Sequence, residues 1–290
     1  VNQTDWILDL THSYFAIVFP GGRIGHFGFS VNYLDMGRMT RTTEFEPDGT
    51  GTSFSASDVA IGFAFAKHMN DRFNVGFQLK FVQESISFSS ANAVAVDAGS
   101  QYITRFSGLK IGMAITNFGT KMRLNGTDQK VDTDAYEDLD GNPDVISSLR
   151  TEDWPLPMAF RVGLSFKPVG PGSIINNTLL EVTMNTDYYD SRDLNPYYLS
   201  GAELRVADLF YLRTGFRHEF TYYSESIDDI LTEGLDGPSY SELYVNKWSW
   251  GLGLSSESFP IIPYNFDLDY SISDLGILGI STQIGITFKL

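Results

Sequence analysis

Large apolar residues occupy every second position of this chain over segments of about ten residues, with small or polar residues between them. Phe73, Val75, Phe77, Leu79 and Phe81 alternate with Asn74, Gly76, Gln78 and Lys80. Val59, Ile61, Phe63 and Phe65 alternate with Asp58, Ala60, Gly62 and Ala64, and Phe160, Val162, Leu164 and Phe166 with Arg161, Gly163, Ser165 and Lys167. Ile280, Thr282, Ile284, Ile286 and Phe288 alternate with Ser281, Gln283, Gly285 and Thr287. A strand with this pattern turns one face to an apolar medium and the other to water. A soluble β-sandwich alternates as well, so strand and connection lengths have to separate the two.

The pattern predicts strands over Asp5 to Phe19, His26 to Thr40, Ser53 to Phe65, Phe73 to Phe88, Ala93 to Thr104 and Leu109 to Met122. It resumes over Met158 to Lys167, Asn177 to Tyr188, Tyr198 to Val206, Leu209 to Tyr222, Trp248 to Ser255, Tyr264 to Ile272 and Leu278 to Leu290. Many exceed the ~5–6 residues usual in soluble sheets and match the ~10-residue strands of membrane barrels. Short and long connections largely take turns. The very long ones, Arg123 to Pro157 and Tyr223 to Lys247, fall in the same set, as extracellular loops do opposite short periplasmic turns. Two members of that set, Ser89 to Asn92 and Ser273 to Ile277, are short.

Composition agrees. The 290 residues hold 14% aromatics, 27 Gly and no Cys, and no run approaches the roughly 20 apolar residues of a membrane helix, so a bilayer would be crossed with strands. A net charge of -16 disfavours nucleic acid as a partner. Without cysteine, disulfides and thiolate metal sites are excluded. Val1 is not followed by a basic stretch and an apolar core, so a mature or truncated form is expected. About thirteen strands are counted, the first running toward the periplasm, whereas bacterial barrels have an even number with both ends periplasmic. One strand is therefore expected ahead of Val1, with Val1 to Thr4 at the tip of its hairpin, for about fourteen in all.

The last eight residues, Gln283-Ile284-Gly285-Ile286-Thr287-Phe288-Lys289-Leu290, resemble the carboxy-terminal signal read by the barrel-assembly machinery, departing from its strict form at Leu290, where an aromatic residue would stand. Further stretches, in order, resemble the PorV/PorQ family. They are Thr4-Asp5-Trp6 with Leu10 to Ala16, Phe19-Pro20-Gly21-Gly22-Arg23 running on through Tyr33-Leu34-Asp35-Met36-Gly37, and Phe54-Ser55-Ala56-Ser57-Asp58. They continue with Thr116-Asn117-Phe118-Gly119-Thr120-Lys121-Met122, Trp154-Pro155-Leu156-Pro157 before Phe160 to Leu164, and Asp269 to Gly279. The resemblance implies an all-β, transmembrane, antiparallel, FadL-like barrel of about fourteen strands. It also implies an upstream Asn-Pro-Ala plug that does not occur here. By the same resemblance, the protein would act in type IX secretion or surface attachment, with a large translocon barrel and secreted cargo as partners. The wider FadL-like class implies the alternative, a transporter of hydrophobic small molecules.

Candidate sites follow from strand faces and loops. Arg161, Lys167, Glu181, Glu203, Arg205, Arg213, Arg217, Glu219, Asp267 and Asp269 fall on the polar face of the later strands. Facing lipid, a basic residue there would cost about 2–4 kcal/mol, so a lumenal network of both signs is expected. A salt-bridge filling of the lumen and a polar path for a solute both fit it. Asp267 and Asp269 share a face, but no nucleophile or cleft accompanies them, so no enzyme is expected. Asp132, Asp134, Asp138 and Asp140 offer hard oxygen ligands suited to calcium without EF-hand spacing, and a solvated acidic loop fits them too. His12, His26, His68 and His218 have no metal-ligand spacing, and no cofactor is implied. In the last long loop Ile227, Ile230 and Leu231 are spaced for one face of a short helix, and with Tyr240 and Tyr244 they are candidates for holding a partner or covering the mouth. Trp248 and Trp250 fit an aromatic girdle. The expectation is one barrel over residues 1–290, in a bacterial outer membrane, with its long loops extracellular, its carboxy terminus periplasmic and lipid around it.

Overall fold

Each long alternating segment lies antiparallel to its neighbour, and the last returns to the first. The computed structural model describes residues 1–106, 108–133, 145–219, 247–257 and 264–289. Its strands begin with β1 (Asn2–Asp5), β2 (Thr11–Pro20), β3 (His26–Thr40), β4 (Ser53–Asn70), β5 (Phe73–Ile86), β6 (Ser89–Ile103) and β7 (Lys110–Gly119). Five short ones follow: β8 (Lys121–Met122), β9 (Asn125–Gly126), β10 (Lys130–Thr133), β11 (Val145–Ser148) and β12 (Trp154–Pro155). The series ends with β13 (Ala159–Val169), β14 (Leu180–Ser191), β15 (Tyr197–Val206), β16 (Phe210–Glu219), β17 (Lys247–Ser255), β18 (Asn265–Asp274) and β19 (Ile280–Lys289). Fourteen strands, β1–β7 and β13–β19, form a ring in chain order, with β7 beside β13 and β19 beside β1. Closure pairs the backbone groups that an open sheet would leave at its edges, which is the condition for crossing lipid with strands.

The burial pattern is inverted relative to a soluble protein. Among the described residues only Ala56, Ala91, Ala93, Ala95, Met122, Leu156 and Ala159 are buried apolar residues, whereas Phe63 is 61% exposed and Leu79 52%. A water-soluble surface does not carry a continuous belt of this kind, so the outer face is a lipid-facing one. No described helix is long and apolar enough to cross a membrane. The chain is a transmembrane antiparallel β-barrel.

The three longest connections, β3–β4, β7–β13 and β16–β17, share one end of the ring, together with short ones at 6–10, 87–88, 192–196 and 275–279. The links β2–β3, β4–β5, β6–β7, β13–β14, β15–β16 and β17–β18 are at the other. The wall is uneven. Strands β3–β6 have 15, 18, 14 and 15 residues, whereas β15–β19 have 9 or 10. The surplus rises at the long-loop end, where Gln83, Ser85 and Asn92, which share the outward face of Phe81 and Val94, are polar.

The amino-terminal region differs from the sequence expectation. The strand expected from Asp5 to Phe19 is β2, which starts only at Thr11, and within this chain the fourteenth place in the ring is taken by the four-residue β1. Asn2 to Asp5, expected near a hairpin tip, pair with Tyr14 to Thr11 on one side and Gly285 to Thr282 on the other. The turn between β1 and β2 is disguised because Trp6, Ile7, Leu8 and Leu10 are apolar. A single 3-10 turn, Ile7–Asp9, reverses the chain there, with Leu8 at φ 53°. Ser89 to Asn92 are likewise strand and not connection: the reversal is at Ser87, φ 52°, and Phe88.

Candidate functional site in the barrel lumen

Alternation places Tyr211, Arg213, Gly215 and Arg217 of β16 on the inner face, opposite Arg205, Glu203, Gly201 and Leu199 of β15. Arg213 is the centre of this wall. Its Nε donates to Glu203 at 2.6 Å, its Nη1 to Asp269 of β18 at 2.5 Å, and its guanidinium lies 5.0 Å over the Tyr211 ring. The bond to Asp269 passes over β17, which presents Gly251 and Gly253 beneath it. A Cβ at Gly253 would stand 2.7 Å from the Asp269 carboxylate and 3.2 Å from Arg213, so a glycine is what lets the pair span three strands.

The remaining residues expected in one lumenal network sort into separate pairs. Arg161 bonds Asp187, and Lys167 meets Glu181 at 2.5 Å. Arg205 meets Asp208 at 3.0 Å, while Glu219 takes both Arg217 at 2.9 Å and Lys247 at 3.2 Å. Asp267 accepts from Ser255 at 2.6 Å and pairs with Lys289 at 3.1 Å. Arg217 also lies 3.8 Å over Tyr197, itself stacked on Tyr189 at 4.8 Å. Sequence reasoning missed Asp187, Asp208, Lys247 and Lys289 as partners. Strand parity carries the signal for Asp187 and Lys247, but register is needed to pair them.

On the other side of the ring lies a further ion pair that sequence reasoning also missed, Lys80 with Asp97 at 2.8 Å. Between the two sides the inner wall is nearly bare. Register places Ala66 opposite Gly76, Gly76 opposite Gly99, Gly99 opposite Ala114, and Gly112 opposite Gly163. These residues floor a cavity of about 650 Å³ edged by Gln78, Asn74, Gln101 and the Arg161–Asp187 pair. Another cavity of about 1080 Å³ runs along Arg213, Ser249, Gly251, Asp269 and Gln283. The charged pairs therefore line the lumen without filling it.

At the mouth, the chain between β7 and β13 turns inward. Met122, Leu124, Trp154 and Leu156 pack with Val82 against Ala91, Ala93 and Ala95, the inward residues of the tall β6 wall. The short strand β12 pairs with β8, and β9 with the top of β6. Asp128 anchors this lobe by accepting the Phe88 N–H at 2.8 Å and the Ser89 hydroxyl at 3.1 Å. The Phe88 bond, with Ser89, holds the Asp128 carboxyl below its usual range. A hydrogen bond from Arg123 does the same for Asp153.

Of the other sequence candidates, Ile227, Ile230, Leu231, Tyr240 and Tyr244 lie outside the described residues, as do Asp134, Asp138 and Asp140. Asp132 is placed in β10. Among the described residues no three His, Asp or Glu side chains converge to hold a metal. Trp248 and Trp250 are on the outer face, stacked at 6.4 Å, with Phe216 4.8 Å from Trp248.

No family model and no curated protein matches the chain. Among solved structures it is similar to "CymD monoaromatic hydrocarbon channel", with 13% identity, all of this chain and 87% of that one covered, and a TM-score of 0.53. A FadL homologue of Pseudomonas aeruginosa matches at 14% identity over 96% of this chain and 76% of that one, with a TM-score of 0.47. The fold is that of the FadL-like barrels.

Proposed function

We propose that this protein is a non-enzymatic outer-membrane channel for hydrophobic small molecules, with its long loops extracellular. The observation that carries the reading is the Gly- and Ala-floored cavity. Its volume of about 650 Å³ is within the range of small-molecule sites, and its floor offers apolar contact without bulky side chains. Its rim polar groups are largely engaged with one another: Lys80 with Asp97, Arg161 with Asp187, and Asn74 with Gln101 at 3.1 Å. An uncharged guest would therefore leave no charge unpaired. The similarity to a channel described as one for monoaromatic hydrocarbons supports the same class of cargo.

The test is uptake of a radiolabelled small aromatic hydrocarbon into cells lacking other such channels. Uptake should rise when the protein is present and fall back when Gly112→Phe fills the cavity. Equal uptake with and without the protein refutes the reading. Purification of the protein with a large partner barrel or a secreted cargo, lost when residues 223–247 are shortened, would instead favour the secretion role implied by the PorV/PorQ resemblance.

A further inference from the structure

The wall of β6 continues above the last residues of β7, so β7 had a straight course available along it. It keeps to that course only as far as Gly119, paired with Ala95, and is distorted just before. The register between the two strands shifts between Val96 and Ala98, and opposite the shift Asn117 adopts a left-handed conformation, φ 61°. Such a backbone is strained for most residues and tolerated by Asn. The Asn117 N–H donates to the Asp97 carboxylate at 2.8 Å. Lys80, already paired with Asp97, donates to the Asn117 side-chain oxygen at 2.5 Å. The Asn117 amide in turn donates to the Pro157 carbonyl at 2.9 Å, so one residue ties together both ends of the segment 118–157. Two residues further on, Gly119 crosses Ala95 so closely that a Cβ would stand 2.3 Å from the Val94 carbonyl. Chain direction and close approach together bring Met122 to 1% exposure against Ala91, Ala93 and Ala95.

We propose that this lobe narrows the lumen mouth and so restricts the passage of hydrated ions, and that Asn117, with Lys80 and Asp97, is the positioning group that turns it inward. The lobe's apolar side chains Met122 and Leu156 are buried against Ala91, Ala93 and Ala95, so what the lobe takes from the mouth is width: it adds a second layer of chain to the inner face of β6. That the lobe admits hydrocarbons rests on the channel reading above. Its restriction of ions does not.

The chain has no native cysteine, so Met122→Cys supplies a single thiol. Its reaction with a membrane-impermeant charged maleimide reports whether the lobe is seated, and ion conductance of the same protein in planar bilayers reports the constriction. Asn117→Gly is the perturbing variant, because glycine keeps the left-handed backbone and removes only the bonds to Lys80 and Pro157. Heat-modifiable migration on gels restricts the comparison to folded barrels. The expected result is that adding Asn117→Gly speeds modification of the thiol several-fold and raises conductance in parallel. Unchanged modification would show that Asn117 does not hold the lobe, and faster modification at unchanged conductance would show that the lobe is no constriction. Either outcome overturns the proposal whether or not hydrocarbons are carried.

Discussion

Replacing Arg213 with methionine removes one cation from between two carboxylates, and its cost can be worked from the contacts. Arg213 is 37% exposed, Glu203 29% and Asp269 39%, so each pair is closer to a surface ion pair than to a buried one. Values of about 0.5–1 kcal/mol for each pair are then appropriate, despite the short distances. Loss of the guanidinium over Tyr211 adds about 0.5–1 kcal/mol. Methionine keeps much of the aliphatic stem, so the sum is about 1.5–3 kcal/mol. The assay is equilibrium urea unfolding of the refolded barrel in detergent, followed by tryptophan fluorescence, since Trp250 lies on β17 directly beside Gly251, the register partner of Arg213. Glu203→Gln and Asp269→Asn complete double-mutant cycles, which isolate each coupling. At about 1 M salt the Debye length falls to roughly 3 Å and both couplings should shrink. A stability within about 0.5 kcal/mol of the parent would refute the argument, because it would mean that lumen water already solvates all three groups as well as they solvate one another.

Leu79→Arg places a charge on the outer face near the middle of the apolar belt and should cost about 2–4 kcal/mol in lipid, whereas Gln78→Arg on the neighbouring inward position should not. Unfolding of both variants in the same bilayer distinguishes the faces; equal costs would mean the faces are misassigned. Gly112→Phe should leave the barrel as stable as the parent, because no heavy atom lies within 4 Å of an added Cβ there, yet should abolish the uptake assigned to the cavity. The lowered pKa of Asp128 means that its anchor on Phe88 is in place above the ordinary carboxyl value of about 3.9 and is lost as pH falls through the folded value below it. Amide exchange at Phe88, corrected for intrinsic rate, should therefore stay slow down to that range and then rise, and Asp128→Asn should remove the transition.

How much of this was legible depended on how local each determinant is. Which residues of Phe73 to Phe81 face lipid follows from period two alone, and the structure places them as the pattern requires. That the longest connections share one end follows in the same way, from chain order and antiparallel pairing. The turn at Ile7–Asp9 was hidden because apolar residues there carry no turn chemistry, and β1 was hidden because a strand of 4 residues cannot establish a period. Membership of the charged wall was readable from parity, but partners were not. Arg213 reaches Asp269 across a strand only because Gly253 leaves room, which requires knowing the register of three strands at once.

The lobe shows why loop residues were the hardest to assign. Met122, Leu124, Trp154 and Leu156 are apolar, but they are split between two short stretches with no common periodicity, so nothing marks them as partners. What makes them partners is the height of β3–β6. A wall that rises past its neighbours presents its inner face above the lipid, and on β6 that face is Ala91, Ala93 and Ala95, too small to meet anything across the lumen. Something has to cover it or water wets it. Burying Met122 and Leu156 there is favourable by about 1.5–3 kcal/mol each, while the ring of hydrogen-bonded strands is complete without them. The barrel can therefore tolerate change in the lobe without loss of the fold. This combination suits a part that sets what passes through a barrel better than one that holds the barrel together.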